Sequence, residues 1–326
     1  MHPTAGFSPP CTLFSPRSRQ LNQFQHTCVR DLAWCLNSPA IYRLGHTANN
    51  LLGDPRELWC WLRRLDNQPQ PLLEAISQQR SHRLGIYVET LVKFMLAQHL
   101  RPTRLLYALA VRQNGITLGE YDFLFRSRGE SALQHLEICI KFYLGIPQQH
   151  GRPHWVGLNQ NDRLIEKHDK MLHRQLRLSQ HTAAQQQLQQ LGEQVGRSQG
   201  IMLGRLFYPF AQSALSPTLS PPKGALNGHL RGWWLRHSEK SQLIKKEGLR
   251  GLHRTVLLVP LQRRQWLAPL APLEAEQLAT EALLHPDSTS AGMTARLLHT
   301  PLGWREQDRG ILVEDNWLDS MLKSFE

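Results

Sequence analysis

The sequence predicts an α/β protein, and three observations lead to that class. Leu84, Val88, Leu91 and Met95 recur at three- and four-residue spacing, which predicts a helix over residues 82–100. Three extended segments separated by turn signals follow. A second helical stretch and another apolar run then complete the order helix, strand, strand, strand, helix, strand over about residues 82–210.

Residues 31–36 and 54–65 read as earlier helices. The second has a strong start, because Asp54 can cap, Pro55 suits the first helical position and Glu57 sits where a capping-box acid reaches back. Trp34, Trp59 and Trp61 on these helices read as packing; a base-stacking platform is the rarer use of such residues.

The first strand spans residues 105–112 and ends at Asn114-Gly115, a dipeptide suited to the tight turn of a hairpin. The second covers residues 118–125, and a polar turn containing Gly129 leads to a third at 133–143. In the third, Leu136, Ile138, Ile140 and Phe142 take one face while Glu137, Cys139 and Lys141 take the other. Residues 162–191 read as a long helix with Leu164, His168, Leu172 and Leu176 at four-residue spacing and a Gln-rich end. Residues 201–207 read as a fourth strand. Beyond a Ser/Pro-rich stretch at 213–223, the sequence predicts strands at 230–236 and 254–259, a helix at 273–284 and a terminal segment with Trp304 and Trp317.

This divides the chain into a loose tail (1–20), a helical lead-in (21–81), a core (82–210), a Ser/Pro-rich loop or linker (211–228) and a C-terminal α/β region (229–326) that completes or dimerises the core, so an oligomer is possible. The 41% hydrophobic and 20% charged composition over 326 residues excludes a disordered polyelectrolyte. No apolar run approaches the ~20 residues needed to cross a bilayer, so no membrane association is expected. Five cysteines without a CxxC pair argue against a disulfide framework and a zinc ribbon, and prolines interrupt any N-terminal signal core; a cytoplasmic location is the expectation. The formal charge of +12 suits a polyanionic partner such as nucleic acid, although net charge also serves solubility.

Chemistry concentrates on the second and third strands. A symmetric hairpin with Arg126 opposite Leu133 places Asp122 opposite Glu137 and Glu120 opposite Cys139, with all four and Lys141 on one face. Opposed Cβ atoms stand ~5 Å apart, close enough for two carboxylates to share a divalent cation. Paired carboxylates bind Mg²⁺ or Mn²⁺ through oxygen, and a neighbouring lysine orients water and offsets charge on a phosphorane-like transition state. The competing reading is a solvated sheet face with cross-strand ion pairs among Glu120, Glu137 and Lys141.

The stretches GEYDFL (119–124) and HLEICIKFYLG (135–145) resemble a bacterial family known as domain of unknown function 1853. Further similar stretches are RLGIYVE (83–89), Asn159, DRL (162–164), Lys167, Gln175-Leu176 and Gly232-Trp233-Trp234. The similarity extends over most of the chain from about residue 31. That family in turn resembles a distant branch of the PD-(D/E)XK phosphodiesterases, which implies a restriction-endonuclease-like core. The resemblance implies Asp122 as the metal-binding aspartate, Lys141 as the lysine of the third core strand and Glu89 as the acid of the first core helix. Joined to the strand register above, the expectation is Asp122 and Glu137 as metal ligands, Lys141 as the water-positioning cation, and Glu89 and Glu120 assisting. Arg163, Lys167 and Gln175 would meet substrate. Cys139 departs from the pattern, which places an acid two residues before the lysine. The expected function is metal-dependent phosphodiester hydrolysis in nucleic acid, DNA first. The alternative is a non-catalytic nucleic-acid-binding or assembly protein of the same fold.

Overall fold

The computed structural model describes residues 20–45, 54–79, 81–148, 151–159, 161–210, 219–241, 243, 255–285, 291–323 and 325. The expected tail, but for Gln20, and most of the Ser/Pro-rich stretch lie outside these. The fold is mixed α/β, with eight α-helices among the described residues and a ten-stranded mixed sheet.

The N-terminal helices are α1 (Thr27–Asn37), α2 (Pro55–Asn67) and α3 (Gln70–Ser77); α4 (Leu84–Met95) follows and runs into one π turn at Leu96–Leu100. Asp54 caps α2, its Oδ1 accepting the Arg56 N–H at 2.7 Å, and Pro55 occupies the first turn. Trp59 stacks on Phe24 at 5.7 Å and Trp61 lies 6.1 Å from Phe94, so both tryptophans pack.

Three antiparallel strands come next: β2 (Arg104–Gln113), β3 (Ile116–Arg126) and β4 (Leu133–Ile146). The β2–β3 turn has Asn114 and Gly115 both at positive φ, the conformation that the Asn-Gly pair favours. The short β5 (His154–Val156) pairs with the far end of β4. Where one helix was expected there are three pieces: α5 (Leu164–His173), a 3₁₀ turn (Gln175–Gln180) and α6 (Thr182–Gln190). The break lets Leu176 and Leu178 turn in against the sheet. A crossover of this kind delivers β6 (Val195–Pro209) parallel to β4. β6 starts six residues before the predicted strand, because Gly200 pairs within the sheet rather than ending a helix, and Gly196 sits at a bulge in the same ladder.

The remaining strands extend the same sheet. β7 (Leu230–Arg236) lies parallel to β6, and β10 (Gly303–Val313) parallel to β7. β9 (Gly292–Thr300) and β8 (Val256–Pro260) follow antiparallel, and β1 (Tyr42–Gly45) pairs with the N-terminal half of β6. The helices α7 (Pro272–Leu284) and α8 (Trp317–Lys323) pack beside this end. No helix among the described residues is long and apolar enough to cross a membrane.

Two cores sandwich β4. Leu136 and Ile138 meet Leu32, Leu62, Leu91 and Leu96 from the N-terminal helices, while Leu133 meets Leu178, Ala184 and Leu188 from the crossover. Each such leucine contributes ~2 kcal/mol by leaving water. Gly204 sits where β6 comes closest to β4: its φ is +130°, and an added Cβ would fall 1.7 Å from the Lys141 carbonyl oxygen.

The β9–β10 hairpin was not predicted, and its cause is a set of buried ion pairs. Arg309, fully buried, donates to both oxygens of Glu306 and to the carbonyls of Leu267 and Ala268. Arg296 pairs with Asp308, whose Oδ1 also accepts from Trp233 Nε1 at 2.7 Å. Four charged side chains on inward positions hide the alternation that marks a strand.

Candidate acidic centre

The β3–β4 ladder pairs Phe123 with Leu136, Leu124 with His135 and Phe125 with Gln134, the register in which Asp122 comes opposite Glu137. The ladder ends there. Beyond it side chains replace backbone partners: the Asp122 N–H donates to Glu137 Oε1 at 3.2 Å, and the Ile138 N–H donates to Asp122 Oδ2 at 2.9 Å.

The cause is a one-residue phase change in β2 and β3. Phe123 and Phe125 face the N-terminal helices, whereas Tyr121 joins Leu124 in the core against the 3₁₀ turn. On β2, Ala108 lies opposite Asp122, between the pairs Tyr107–Phe123 and Leu109–Tyr121, and it takes φ +49°. The expected common face for Glu120, Asp122, Glu137, Cys139 and Lys141 is therefore corrected. Gly119 and Tyr121 face Leu178, and the exposed Glu120 between them points the other way.

Glu89 of α4, Asp122 of β3 and Glu137 of β4 nevertheless lie within electrostatic reach of one another. Burial pushes the Asp122 carboxyl up to about 8, and Glu137 and then Glu89 add to the rise, against the Ile138 N–H and the Lys167 ammonium. Burial likewise lifts Glu89 to about 7, with Glu120 and Glu137 raising it further and Lys167 opposing. Glu137 is wholly buried: His135 Nε2 stands 2.8 Å from its Oε1, and Gln175 Nε2 donates to its Oε2.

Lys167 and Gln175, eight residues apart in sequence, are brought together. Lys167 Nζ donates to Gln175 Oε1 at 3.1 Å, and Gln175 passes the contact on to Glu137. Lys141 is not held on the acids. Its ammonium donates to both oxygens of Asp162, at 3.0 and 2.8 Å, and Tyr143 donates to the same carboxylate at 2.9 Å. Asp162, missed as a partner, is the reason: it follows β5 and turns back over the end of β4. Arg163 follows it in sequence, its guanidinium 5.1 Å from the Phe325 ring. Lys167 is thus the cation that tempers Glu89, Asp122 and Cys139. Burial pushes the Cys139 thiol up to about 12 despite Lys167 and Lys141, so it stays protonated rather than nucleophilic.

A divalent cation needs several free oxygens. Both oxygens of Glu137 are already engaged, and one of Asp122 accepts a backbone N–H. Among the described residues no group of three or more His, Cys, Asp or Glu side chains is arranged to hold a metal.

Residues 30–313 match the model of a family described as a domain of unknown function, DUF1853. No curated protein and no solved structure matches the chain.

Proposed function

The chain belongs to the DUF1853 family, and we propose from its acidic centre that it hydrolyses phosphodiester bonds in nucleic acid, DNA being the expected substrate. The observation that carries this reading is the convergence of Glu89, Asp122 and Glu137 around Lys167 in a protein of formal charge +12. Isolated acids repel phosphate, so gathering them in a basic protein suits chemistry better than affinity alone. The order α4, β2, β3, β4, crossover helices, β6 supports a restriction-endonuclease-like core.

Two carboxyl groups displaced to about 7 and about 8 form an acid-base pair at neutral pH. Glu89 takes the proton of the attacking water as its oxygen bonds to phosphorus. Asp122 gives its proton to the departing oxygen as the ester bond breaks, and Lys167 offsets charge on the non-bridging oxygens. Glu137, fixed by His135 and Gln175, sets the position of Asp122 through its N–H. Lys167 takes the part expected of Lys141.

The test is cleavage of plasmid and single-stranded DNA in EDTA, Mg²⁺ and Mn²⁺. The expected result is cleavage that persists in EDTA, falls at least 100-fold in Asp122→Asn, Glu89→Gln and Lys167→Met, and survives Lys141→Met. Strict dependence on added metal would overturn the acid-base assignment. The second reading, a non-catalytic nucleic-acid-binding or assembly protein, is favoured by the engagement of Lys141 with Asp162. DNA binding that weakens with salt, without cleavage under any condition, would establish it.

A further inference from the structure

His135 of β4 is fully buried and stands between two oxygen-bearing side chains. Its Nε2 is 2.8 Å from Glu137 Oε1, and its Nδ1 is 3.2 Å from Ser198 Oγ of β6. A carboxylate only accepts, so the Glu137 contact fixes the proton on Nε2 and leaves the Nδ1 lone pair facing the serine hydroxyl. The imidazole is further held by the Tyr121 ring, edge-on at 4.8 Å. Glu137 is itself immobilised by the Asp122 N–H and Gln175.

Ser198 is half-buried and lies in the wall of an open cleft of about 900 Å³. Leu172, Leu176 and Leu188 line this cleft together with the polar side chains of Arg177 and Arg197. A volume of this order suits a small organic ligand, with an apolar lining and a few polar groups to orient it. The cleft is separated from the acidic centre by the 3₁₀ turn, which presents Gln175 to Glu137 and Leu176 and Arg177 to the cleft.

We propose that Ser198, His135 and Glu137 form a second catalytic site, a serine nucleophile with its base and orienting acid, acting on carboxylic esters that enter this cleft. A nucleophile hydrogen-bonded to a base that a third group orients is the signature of such chemistry, whatever the fold. Ser198 Oγ bonds to the ester carbonyl carbon as its proton passes to His135 Nδ1. Glu137 balances the resulting imidazolium. The tetrahedral oxyanion collapses, the bond to the alkoxide breaks, and His135 returns the proton to that alkoxide. Water then repeats the sequence on the acyl-serine, releasing the acid and restoring the hydroxyl. This proposal does not rest on the phosphodiester reading, since neither Glu89 nor Lys167 takes part.

The experiment treats the full chain with a fluorophosphonate probe, locates the adduct by peptide mass spectrometry, and follows p-nitrophenyl butyrate hydrolysis alongside. The expected result is one adduct, on Ser198, with Ser198→Ala losing the adduct and at least 100-fold of the hydrolysis at an unchanged melting temperature. Absence of an adduct on Ser198, or hydrolysis by Ser198→Ala within two-fold of the parent protein, overturns the proposal.

Discussion

Replacing Asp122 by Asn tests how the acidic centre couples to the fold. In the native protein burial, Glu137 and Glu89 raise this carboxyl from its ordinary range near 4 to about 8. In the unfolded chain it ionises near pH 4. Between those values the native state holds a proton that the unfolded state has lost, so the stability it contributes is complete below about pH 4 and is lost as pH rises to about 8. Asn keeps an oxygen for the Ile138 N–H but cannot ionise, and so escapes this loss. One pK unit corresponds to about 1.4 kcal/mol. Counting only part of the displacement, because the carboxyl is not fully enclosed, the variant should gain ~2–3 kcal/mol over the parent at pH 8 relative to pH 4. Thermal melts at pH 4, 6 and 8 read this directly. At about 2 °C per kcal/mol for a chain of this size, the difference in Tm should widen by ~5 °C in favour of Asn across that range. A difference that stays constant from pH 4 to 8, or shifts towards the parent, would refute the assignment of a raised carboxyl.

Four further outcomes follow from the geometry. Gly204→Ala forces a Cβ onto the Lys141 carbonyl at a positive φ, and should cost several kcal/mol in urea unfolding or prevent folding. Arg309→Ala strands Glu306 and two carbonyls in the core and should cost ~3–5 kcal/mol, visible as a large drop in the urea midpoint. Ala108→Gly relieves a left-handed alanine and should raise stability by up to ~1 kcal/mol in the same assay. DNA cleavage, with Glu89 as base and Asp122 as acid, should show a bell-shaped kcat/KM profile with limbs near pH 7 and 8; a flat profile across pH 6–9 would contradict those roles.

The parts of the fold legible from sequence are those governed by local rules. Asn114-Gly115 specifies its turn, Asp54-Pro55 its helix start, the alternation of Leu136, Ile138 and Ile140 against Glu137 and Cys139 specifies β4, and a symmetric β3–β4 connection gives their register. Long-range compensation obscured the rest. The polar start of β6 looks unlike a strand because it carries a bulged Gly196 and a paired Gly200, and β9 and β10 look irregular because Arg296, Glu306, Asp308 and Arg309 neutralise one another inside. At the candidate site, Asp122 and Glu137 stand out by residue type and strand position, and Glu89 by the family resemblance. The exchange of Lys141 for Lys167 does not, since it depends on Asp162 folding back over β4 from 21 residues away. The phase change at Ala108 and Asp122 was equally hidden, being a backbone event with no glycine or proline to announce it.

That phase change means that Asp122 does a job normally done by main chain. Its carboxylate receives the Ile138 amide where a neighbouring carbonyl would otherwise stand, and its own amide is received by Glu137. The rung that joins β3 to β4 at this level is made of the Asp122 carboxyl, a candidate for proton transfer, and the Glu137 carboxylate that positions it. Chemistry and architecture are therefore not separable here by simple deletion: a substitution that silences the acids without a replacement acceptor also unzips the hairpin by one step. An inactive but intact protein requires an amide or similar acceptor in place of the acid, and evolutionary loss of activity along this route would be expected to leave asparagine or glutamine, not alanine, at positions 122 and 137.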